Sequence, residues 1–290
     1  MTVGRPLTAA QRRLRDEVLG WGGDRPRIPA GLAGELADAV AGAVAAGCSG
    51  SAPVASARRA VSAVMLARPP GTAPLSGHDA RTVRGLLLTE VVAEDLAGGH
   101  RGELATVLDR AVVQLASARP GDPASASAWW NAAAPGGRAA IRAEVEAIAA
   151  QLRAIWPPLD PDQVRVSVRP RLRAPIPGQR VDLTARPLVV VDSRRRDERA
   201  RAVVLVARTG MPRPQEDRLV ARVTALVATL AAGRPPFRWG VLHVTDGRVE
   251  VEDLDADLLL ATAATAGSRV GTVLDGAPIG GRGDRGARRR

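Results

Sequence analysis

The sequence has few of the residues that support cysteine chemistry or aromatic packing. Its 290 residues include one cysteine, Cys48, one phenylalanine and no tyrosine, and aromatic residues make up only 2%. A single thiol excludes an internal disulfide and a metal centre built from cysteines. The chain also lacks a run of about 18 apolar residues and a charged-then-apolar leader, so we expect a soluble, cytoplasmic protein that does not bind membranes. Because 46% of the residues are hydrophobic, we expect a core mainly of Ala, Val and Leu.

Lysine is absent as well, so the 41 residues of the Lys and Arg class are all arginines. Against 30 acidic residues they give a net charge of +11, most of it in residues 151–290, which carry 25 arginines and 16 acids. A chain rich in Ala, Arg, Gly and Pro is typical of a GC-rich genome, which replaces Lys by Arg irrespective of function. The same bias does not remove Asp or Glu. A position that has lost an acid is therefore more informative than one that has lost a lysine.

Apolar residues recur at helical spacing through the first half of the chain, between segments rich in Gly and Pro. We expect this half to be mostly helical. The predicted helices cover residues 8–20, 30–47, 54–67, 79–98, 101–118 and 136–155.

The second half changes to the period of strands. Val164, Val166 and Val168 alternate with polar residues until Pro170, and the segments "QRVDLTARPLVVVDS" and "RAVVLVART" each indicate one further strand. A helix ending at Gly233, a hairpin turning at Asp246-Gly247 and a helix at 255–270 follow. The order of three strands, helix, two strands and helix predicts an α/β fold, in which a central mixed sheet is flanked by helices. The last residues, 276–290, are predicted to be a disordered basic tail.

Four segments within residues 80–275 carry a resemblance to a known family. They are "RGLLLTEVV" at 84–92, "LTARPLVVV" at 183–191, "VLVARTGMPRP" at 204–214 and "ARVTALVATLAAGRPPFRWGVLHV" at 221–244. Together they resemble the PD-(D/E)XK nuclease superfamily, in its RecB-like branch. The first segment resembles the family's helix with a metal-binding His, and the second resembles its strand of form "l-s-G-R-x-D-l-v". The third resembles the strand "v-v-D-x-K-T-G-x-x-x-P", and the fourth resembles the helix that follows it. The resemblance implies a restriction-endonuclease-like domain at 77–275, with a helical part at 77–157 and a sheet part at 158–275. Residues 1–76 would then form a helical N-terminal extension.

The resemblance also identifies the positions at which such a nuclease carries its chemistry, and each of them holds another residue here. The His falls on Thr89, the two metal-binding acids fall on Leu188 and Val206, the lysine falls on Arg208 and the helix tyrosine falls on Thr224. The family holds Mg²⁺ between carboxylates so that a metal-bound water attacks the phosphorus, and Leu and Val offer no oxygen ligand. We therefore expect no catalytic residue, no metal ligand and no cofactor. Arg208, freed from neighbouring acids, is expected either to bind a phosphate or to extend into solvent.

An active enzyme with displaced ligands is the alternative. Under a different alignment Asp182 becomes the first metal ligand of a Mg²⁺-dependent DNA exonuclease or endonuclease, although the second acid is still missing. If residues 182–192 form one strand, Asp182 and Asp192 share a face with Leu188 but lie about 20 Å and 13 Å from it. Neither then replaces the lost acid in the same pocket.

The arginines of the second half indicate a possible partner. If they converge, they form a surface that binds DNA through its phosphates, without sequence preference because aromatic residues are scarce. If they are scattered, they are the ordinary surface of an arginine-rich chain, and the fold serves a protein partner instead. The candidate nucleic-acid-binding residues are Arg165, Arg169, Arg171, Arg173, Arg194, Arg195, Arg196 and Arg208.

Overall fold

The computed structural model describes residues 6–20, 26–47, 58–69, 78–97, 100, 102–117, 125–159, 162, 164–193 and 202–276. The helices in this part of the chain are α1 (Ala9–Arg13, continued by a π-helical turn at Leu14–Val18), α2 (Leu32–Gly47), α3 (Ala63–Ala67), α4 (Ala80–Ala97), α5 (Leu104–Ser117), α6 (Ala126–Ala132), α7 (Pro135–Ile155), α8 (Pro214–Ala232) and α9 (Ala256–Gly276). The strands are β1 (Arg59–Ser62), β2 (Val164–Val168), β3 (Leu172–Pro175), β4 (Val181–Ala185), β5 (Val189–Ser193), β6 (Ala202–Arg208), β7 (Arg238–His243) and β8 (Arg248–Asp253).

The strands form two mixed sheets, which confirms the predicted α/β class. The larger sheet has the order β2-β5-β6-β7-β8, and the smaller has the order β1-β4-β3. In the larger sheet β6 and β7 are parallel and α8 connects them, whereas the other neighbouring strands are antiparallel. The hairpin predicted at Asp246-Gly247 is the β7–β8 pair, and Gly247 has the positive φ of 68° that such a turn requires. No helix in the described ranges is both long and apolar enough to cross a membrane.

Two proline positions mark the ends of strands. β2 ends before Pro170, as the sequence analysis expects, and β3 beyond it was not predicted. Pro187 separates β4 from β5, which the sequence analysis treats as one strand. Proline has no backbone N–H and restricts the residue before it, so a ladder of hydrogen bonds does not continue through it. As a result β4 and β5 belong to different sheets, and five strands lie between α7 and α8 instead of the predicted three.

The helix predicted at 54–67 is wrong over part of its length. Arg59–Ser62 is strand β1, which pairs in parallel with β4, and only Ala63–Ala67 is helical. The side chain of Ser62 accepts a hydrogen bond from the backbone N–H of Met65 and so begins this short helix. Pairing with a distant strand therefore overrides the local helical pattern. The short helix α6 was not predicted.

Both faces of the larger sheet are buried. Along β6, Val203 and Leu205 face a cluster of helices that includes α4, α5 and α7. Val204 and Val206 face a second cluster, formed by α2, α8, α9 and the smaller sheet. Residues of α2 and β1 thus share one core with the C-terminal half. The predicted boundary between residues 76 and 77 does not coincide with a break in this core, and the domain division stays a prediction.

Candidate functional site

Four of the five positions that the family resemblance marks lie around one cleft. Thr89 on α4, Leu188 just before β5, Val206 on β6 and Thr224 on α8 line a space of about 530 Å³ between the two sheets and these helices. The four residues come from four separate elements. The four positions that were matched to the family's motifs in the sequence are therefore close together in the fold.

The cleft has an apolar floor and few free hydroxyl groups. Leu188 and Val206 are 2% and 7% exposed. Thr89 Oγ1 donates to the carbonyl oxygen of Gly85 at 2.8 Å, and Thr184 Oγ1 donates to that of Val61 at 3.3 Å. None of the described residues lining the cleft is Asp or Glu. A hard cation such as Mg²⁺ needs oxygen ligands, so this lining does not fit the metal site of a PD-(D/E)XK nuclease. Nor does the described part of the chain contain any cluster of three or more His, Cys, Asp or Glu residues suited to a metal ion.

Arg208, which matches the family's lysine, is held in the turn after β6. Its Nε and Nη2 donate to the carbonyl oxygen of Met211 at 2.9 and 2.7 Å, and Nε lies 3.4 Å from Asp217 Oδ1. The carboxylate of Asp217 is buried and also accepts from the backbone N–H of Arg213 at 2.7 Å. Arg208 thus connects the turn to the first residues of α8 and is not among the residues that line the cleft. Its place in the nucleic-acid-binding set stays a prediction.

The small residues of two resembling segments are in direct contact. A Cβ atom on Gly85 would stand 2.7 Å from Thr209 Oγ1, closer than real Cβ atoms come. Arg84 Nη2 reaches the carbonyl oxygen of Thr209 at 3.5 Å. The Arg-Gly pair of α4 and the Thr-Gly turn after β6 therefore fit together through packing. This contact gives the two segments a structural reason to keep these residues without any catalytic role.

Asp182, the ligand of the alternative active enzyme, is an ion-pair centre in the smaller sheet. It is 1% exposed, its Oδ1 lies 2.8 Å from Arg58 Nε, and its Oδ2 accepts from Arg173 Nε at 2.6 Å. Both carboxylate oxygens are thus taken by guanidinium groups, and Asp182 does not line the cleft. The assumption that Asp182 and Leu188 lie on one strand is wrong, because Pro187 separates β4 from the strand that follows. Asp192 lies towards the other end of β5, opposite Arg165.

Replacing Asp182 with asparagine is expected to destabilise the protein moderately. The change removes the charge that holds Arg58 and Arg173, and because these side chains are 49% and 66% exposed, water compensates part of the loss. We expect the free energy of unfolding to fall by about 1–2 kcal/mol. Urea denaturation monitored by circular dichroism measures this change. If Asp182 binds a metal instead, Mg²⁺ will raise the stability of the wild type and not that of the variant; as an ion-pair centre it leaves both insensitive to Mg²⁺.

Arginines dominate the polar lining of the cleft. Arg169, Arg171 and Arg173, three of the predicted nucleic-acid-binding residues, line it together with Arg186, which the sequence analysis did not single out. The signal for Arg186 was present, since "LTARPLVVV" places it at the arginine of the family's "G-R-x-D" strand. Arg165 does not line the cleft and stands about 13 Å along the strand from Arg169. The predicted residues Arg194, Arg195 and Arg196 lie outside the described residues.

Three of these guanidinium groups stand close together without a balancing set of acids. Leu172 pairs with Ala185 in the β3–β4 hairpin, so Arg171 and Arg186 are the residues just beyond the paired part, one on each strand, at its open end. The cleft arginines that form ion pairs among the described residues are Arg169, with Glu90, and Arg173, with Asp182, whereas Arg171 and Arg186 have no partner there. Burial, and then the charges of Arg186 and Arg171, lower the pKa of Arg169 to about 10. Like charges placed opposite one another are unfavourable, and an anion between them would relieve the repulsion.

The histidines lie in other parts of the fold. His100 Nδ1 is 2.5 Å from Asp95 Oδ2, and Arg153 Nε donates to the same oxygen at 3.2 Å. Burial raises the pKa of Asp95, but the hydrogen bonds from His100 and Arg153 outweigh it and keep this pKa below its ordinary value. His243 is buried on β7, with Nε2 3.4 Å from Glu250 Oε1. None of these residues lines the arginine-rich cleft.

Comparison of the chain with protein-family models, with curated proteins and with solved structures finds no match.

Proposed function

We propose that this chain is a catalytically inactive protein of the PD-(D/E)XK type, with a restriction-endonuclease-like fold, that binds nucleic acid through phosphate groups in the arginine-lined cleft. One observation carries the proposal. The cleft that gathers Thr89, Leu188, Val206 and Thr224 contains four arginines and no carboxylate among its described lining residues. Where a nuclease of this type would hold a metal, the chain presents positive charge over an apolar floor.

The arrangement of the sheet supports the fold assignment. The resembling segments fall on α4, across the end of β4 and the first residues of β5, on β6 and on α8–β7, and β5, β6 and β7 are neighbours in the larger sheet. Helices cover both faces of this sheet, as the resemblance implies. The contact between Gly85 and Thr209 connects the first segment to the third.

The charges of the cleft support phosphate binding. A guanidinium group donates two parallel hydrogen bonds to a phosphate, and Arg171 and Arg186 are exposed and both line the cleft. Contacts of this kind are made with the backbone of a nucleic acid and carry no sequence information. Because they release counterions, the affinity falls steeply with salt. We therefore propose salt-sensitive binding that does not depend on base sequence.

The missing acids support the absence of hydrolysis. Leu188 and Val206 cannot coordinate Mg²⁺, and Asp182, the acid considered as a substitute ligand, is held by Arg58 and Arg173. Arginine at position 208 keeps a positive charge but cannot lose a proton to activate water. The cleft therefore lacks both the metal-bound nucleophile and a base.

A gel with labelled single-stranded and double-stranded DNA tests the proposal. The protein is incubated with each DNA and with Mg²⁺ or Mn²⁺, at low and at raised salt. We expect a band shift that weakens as salt rises, and no cleavage with either metal. Metal-dependent degradation would contradict the inactive assignment. Absence of both shift and cleavage would contradict nucleic-acid binding and would favour the alternative that the fold binds a protein partner.

A further inference from the structure

One acidic residue, Glu90, stands next to the cleft and pairs with its most buried arginine. Glu90 follows Thr89 on α4, and its Oε1 forms an ion pair with Nη1 of Arg169, which lies just after β2. The side chain of Arg169 is 16% exposed and that of Glu90 is 42% exposed. The pair thus connects α4 to the β2–β3 connection at the edge of the cleft.

The backbone holds Arg169 in this position. Arg169 has a φ of 46°, a conformation that residues other than glycine seldom adopt, and its N–H donates to the carbonyl oxygen of Leu188 at 2.8 Å. Its Nη1 atom is buried and contacts the carboxylate of Glu90. Strained residues of this kind are often found at ligand sites. Arg169 therefore holds a guanidinium group that is paired with Glu90 at the edge of a cleft that also contains Arg171 and Arg186.

The balance of charge indicates which anion fits. Arg169 is paired with Glu90, which leaves Arg171 and Arg186, at the open end of the β3–β4 hairpin, as two positive charges without an ion-pair partner among the described residues. A phosphodiester carries one negative charge, whereas a phosphate monoester carries about 1.5 to 2 at pH 7, because its second pKa is about 6. The monoester therefore matches the two free guanidinium groups. Pro187, Leu188, Val206 and Val220 provide an apolar surface for the group that bears the phosphate.

We propose that the cleft binds a phosphate monoester dianion between Arg171 and Arg186, and that Glu90 competes with this dianion for Arg169. The inference rests on the proposed function and deepens it, since it makes the end of a phosphorylated strand the preferred ligand. Glu90 is then a positioning residue that limits affinity, because an internal carboxylate occupies a guanidinium group that a phosphate would otherwise use.

Matched oligonucleotides test the ligand. Single strands of one sequence, with a 5′-phosphate, a 3′-phosphate or only hydroxyl ends, are titrated by fluorescence anisotropy alongside a nucleoside monophosphate. We expect at least one phosphorylated end to bind about tenfold more tightly than the hydroxyl ends, since one added charge-assisted contact is worth about that factor. The preference is expected to fade below about pH 6, where the monoester takes up its second proton. No histidine is among the described lining residues, so this pH dependence reports the ligand.

The outcomes separate this inference from the proposed function. If all strands bind equally, the monoester site is wrong while nucleic-acid binding stands. If the nucleoside monophosphate binds and no oligonucleotide does, the site holds small phosphate monoesters and the nucleic-acid function is wrong. If neither binds, both proposals fail.

Replacing Glu90 with glutamine tests the competition. Glutamine keeps the size of the side chain and removes the charge, so we expect affinity for the phosphorylated strand to rise about three- to tenfold. Glu94→Gln is the matched control, because Glu94 lies on the same helix but pairs with Arg110 outside the cleft. Thermal unfolding with and without inorganic phosphate gives a second readout, in which phosphate should stabilise Glu90→Gln more than the wild type. Equal or weaker binding by a folded Glu90→Gln variant would overturn the competition.

Discussion

Substitution of Gly240 by alanine is expected to lower the free energy of unfolding by about 3 kcal/mol or more, as overpacking does where neighbours cannot move. Gly240 lies in the middle of β7, between β6 and β8, and pairs with Val251. A Cβ atom here would overlap the backbone carbonyl oxygen of Glu250 and stand 2.9 Å from Val251 Cγ1. Relief of this overlap requires β8 to move away from β7. Urea denaturation followed by circular dichroism measures the loss.

A second glycine provides the control for this change. Gly42 lies within α2, and nothing stands within 4 Å of the Cβ that alanine would add. Gly42→Ala should therefore raise the free energy of unfolding by about 0.5–1 kcal/mol, because alanine loses less conformational freedom in a helix. We expect the two substitutions to change the free energy of unfolding in opposite directions. If Gly240→Ala leaves this free energy unchanged, β8 does not approach the backbone of β7 closely at Gly240.

Removal of Arg171 and Arg186, which have no ion-pair partner among the described residues, is expected to give the largest loss of binding. For the double variant Arg171→Ala/Arg186→Ala we expect affinity for single-stranded DNA to fall about 100-fold, since each charged hydrogen bond contributes about 1.5–3 kcal/mol. The dependence of log affinity on log salt should become shallower by about 1.4, the value for two lost phosphate contacts on a single strand. Fluorescence anisotropy across a salt series gives both numbers.

The same double variant is expected to be at least as stable as the wild type. Arg171 and Arg186 have no ion-pair partner in the described part of the chain and their charges lower the pKa of Arg169, so their removal relieves repulsion. The double variant Arg110→Ala/Arg142→Ala is the control, because it removes two positive charges from α5 and α7, away from the cleft. It should lose two surface ion pairs and retain nearly all binding. Equal loss of binding in both variants would show that net charge matters and the cleft does not.

The candidate site was predictable from the sequence to the extent that it depends on local patterns. The buried strand before the Thr-Gly turn, the helix after it and the order of the four segments were enough to select Thr89, Leu188, Val206 and Thr224, which the fold places around one cleft. The absence of an acid at Leu188 and Val206, and with it the absence of a metal ligand at these two positions, is also visible in the residue types alone. Arg186 was not predicted as a nucleic-acid-binding residue, although it matches the arginine of the quoted strand pattern, because it stands apart from the arginine-rich segments in the sequence.

The partners of charged residues were not predictable in this way. Asp182 looked like a possible metal ligand in the sequence, and the structure instead places it between Arg58 and Arg173 in a sheet that the sequence did not indicate. Arg208 looked free for a phosphate and is held by Met211 and Asp217. Whether a charge is available depends on what lies opposite it, and local sequence does not contain that information.

By itself, the sequence of this protein determines its class, its long helices and the chemistry that some positions exclude. Helical spacing identifies α4, α7 and α8, Asp246-Gly247 identifies the hairpin, and Leu188 with Val206 excludes carboxylate chemistry at those positions. Only the tertiary structure decided that Arg59–Ser62 is a strand, that Pro187 divides two sheets, and that Arg169, Arg171 and Arg186 share a cleft. The physical reason is that these features depend on contacts between residues far apart in the chain. Thr184 Oγ1, for example, donates to the carbonyl oxygen of Val61, 123 residues away. Such contacts decide which segments pair as strands and which charged side chains meet, and local propensity does not contain that information.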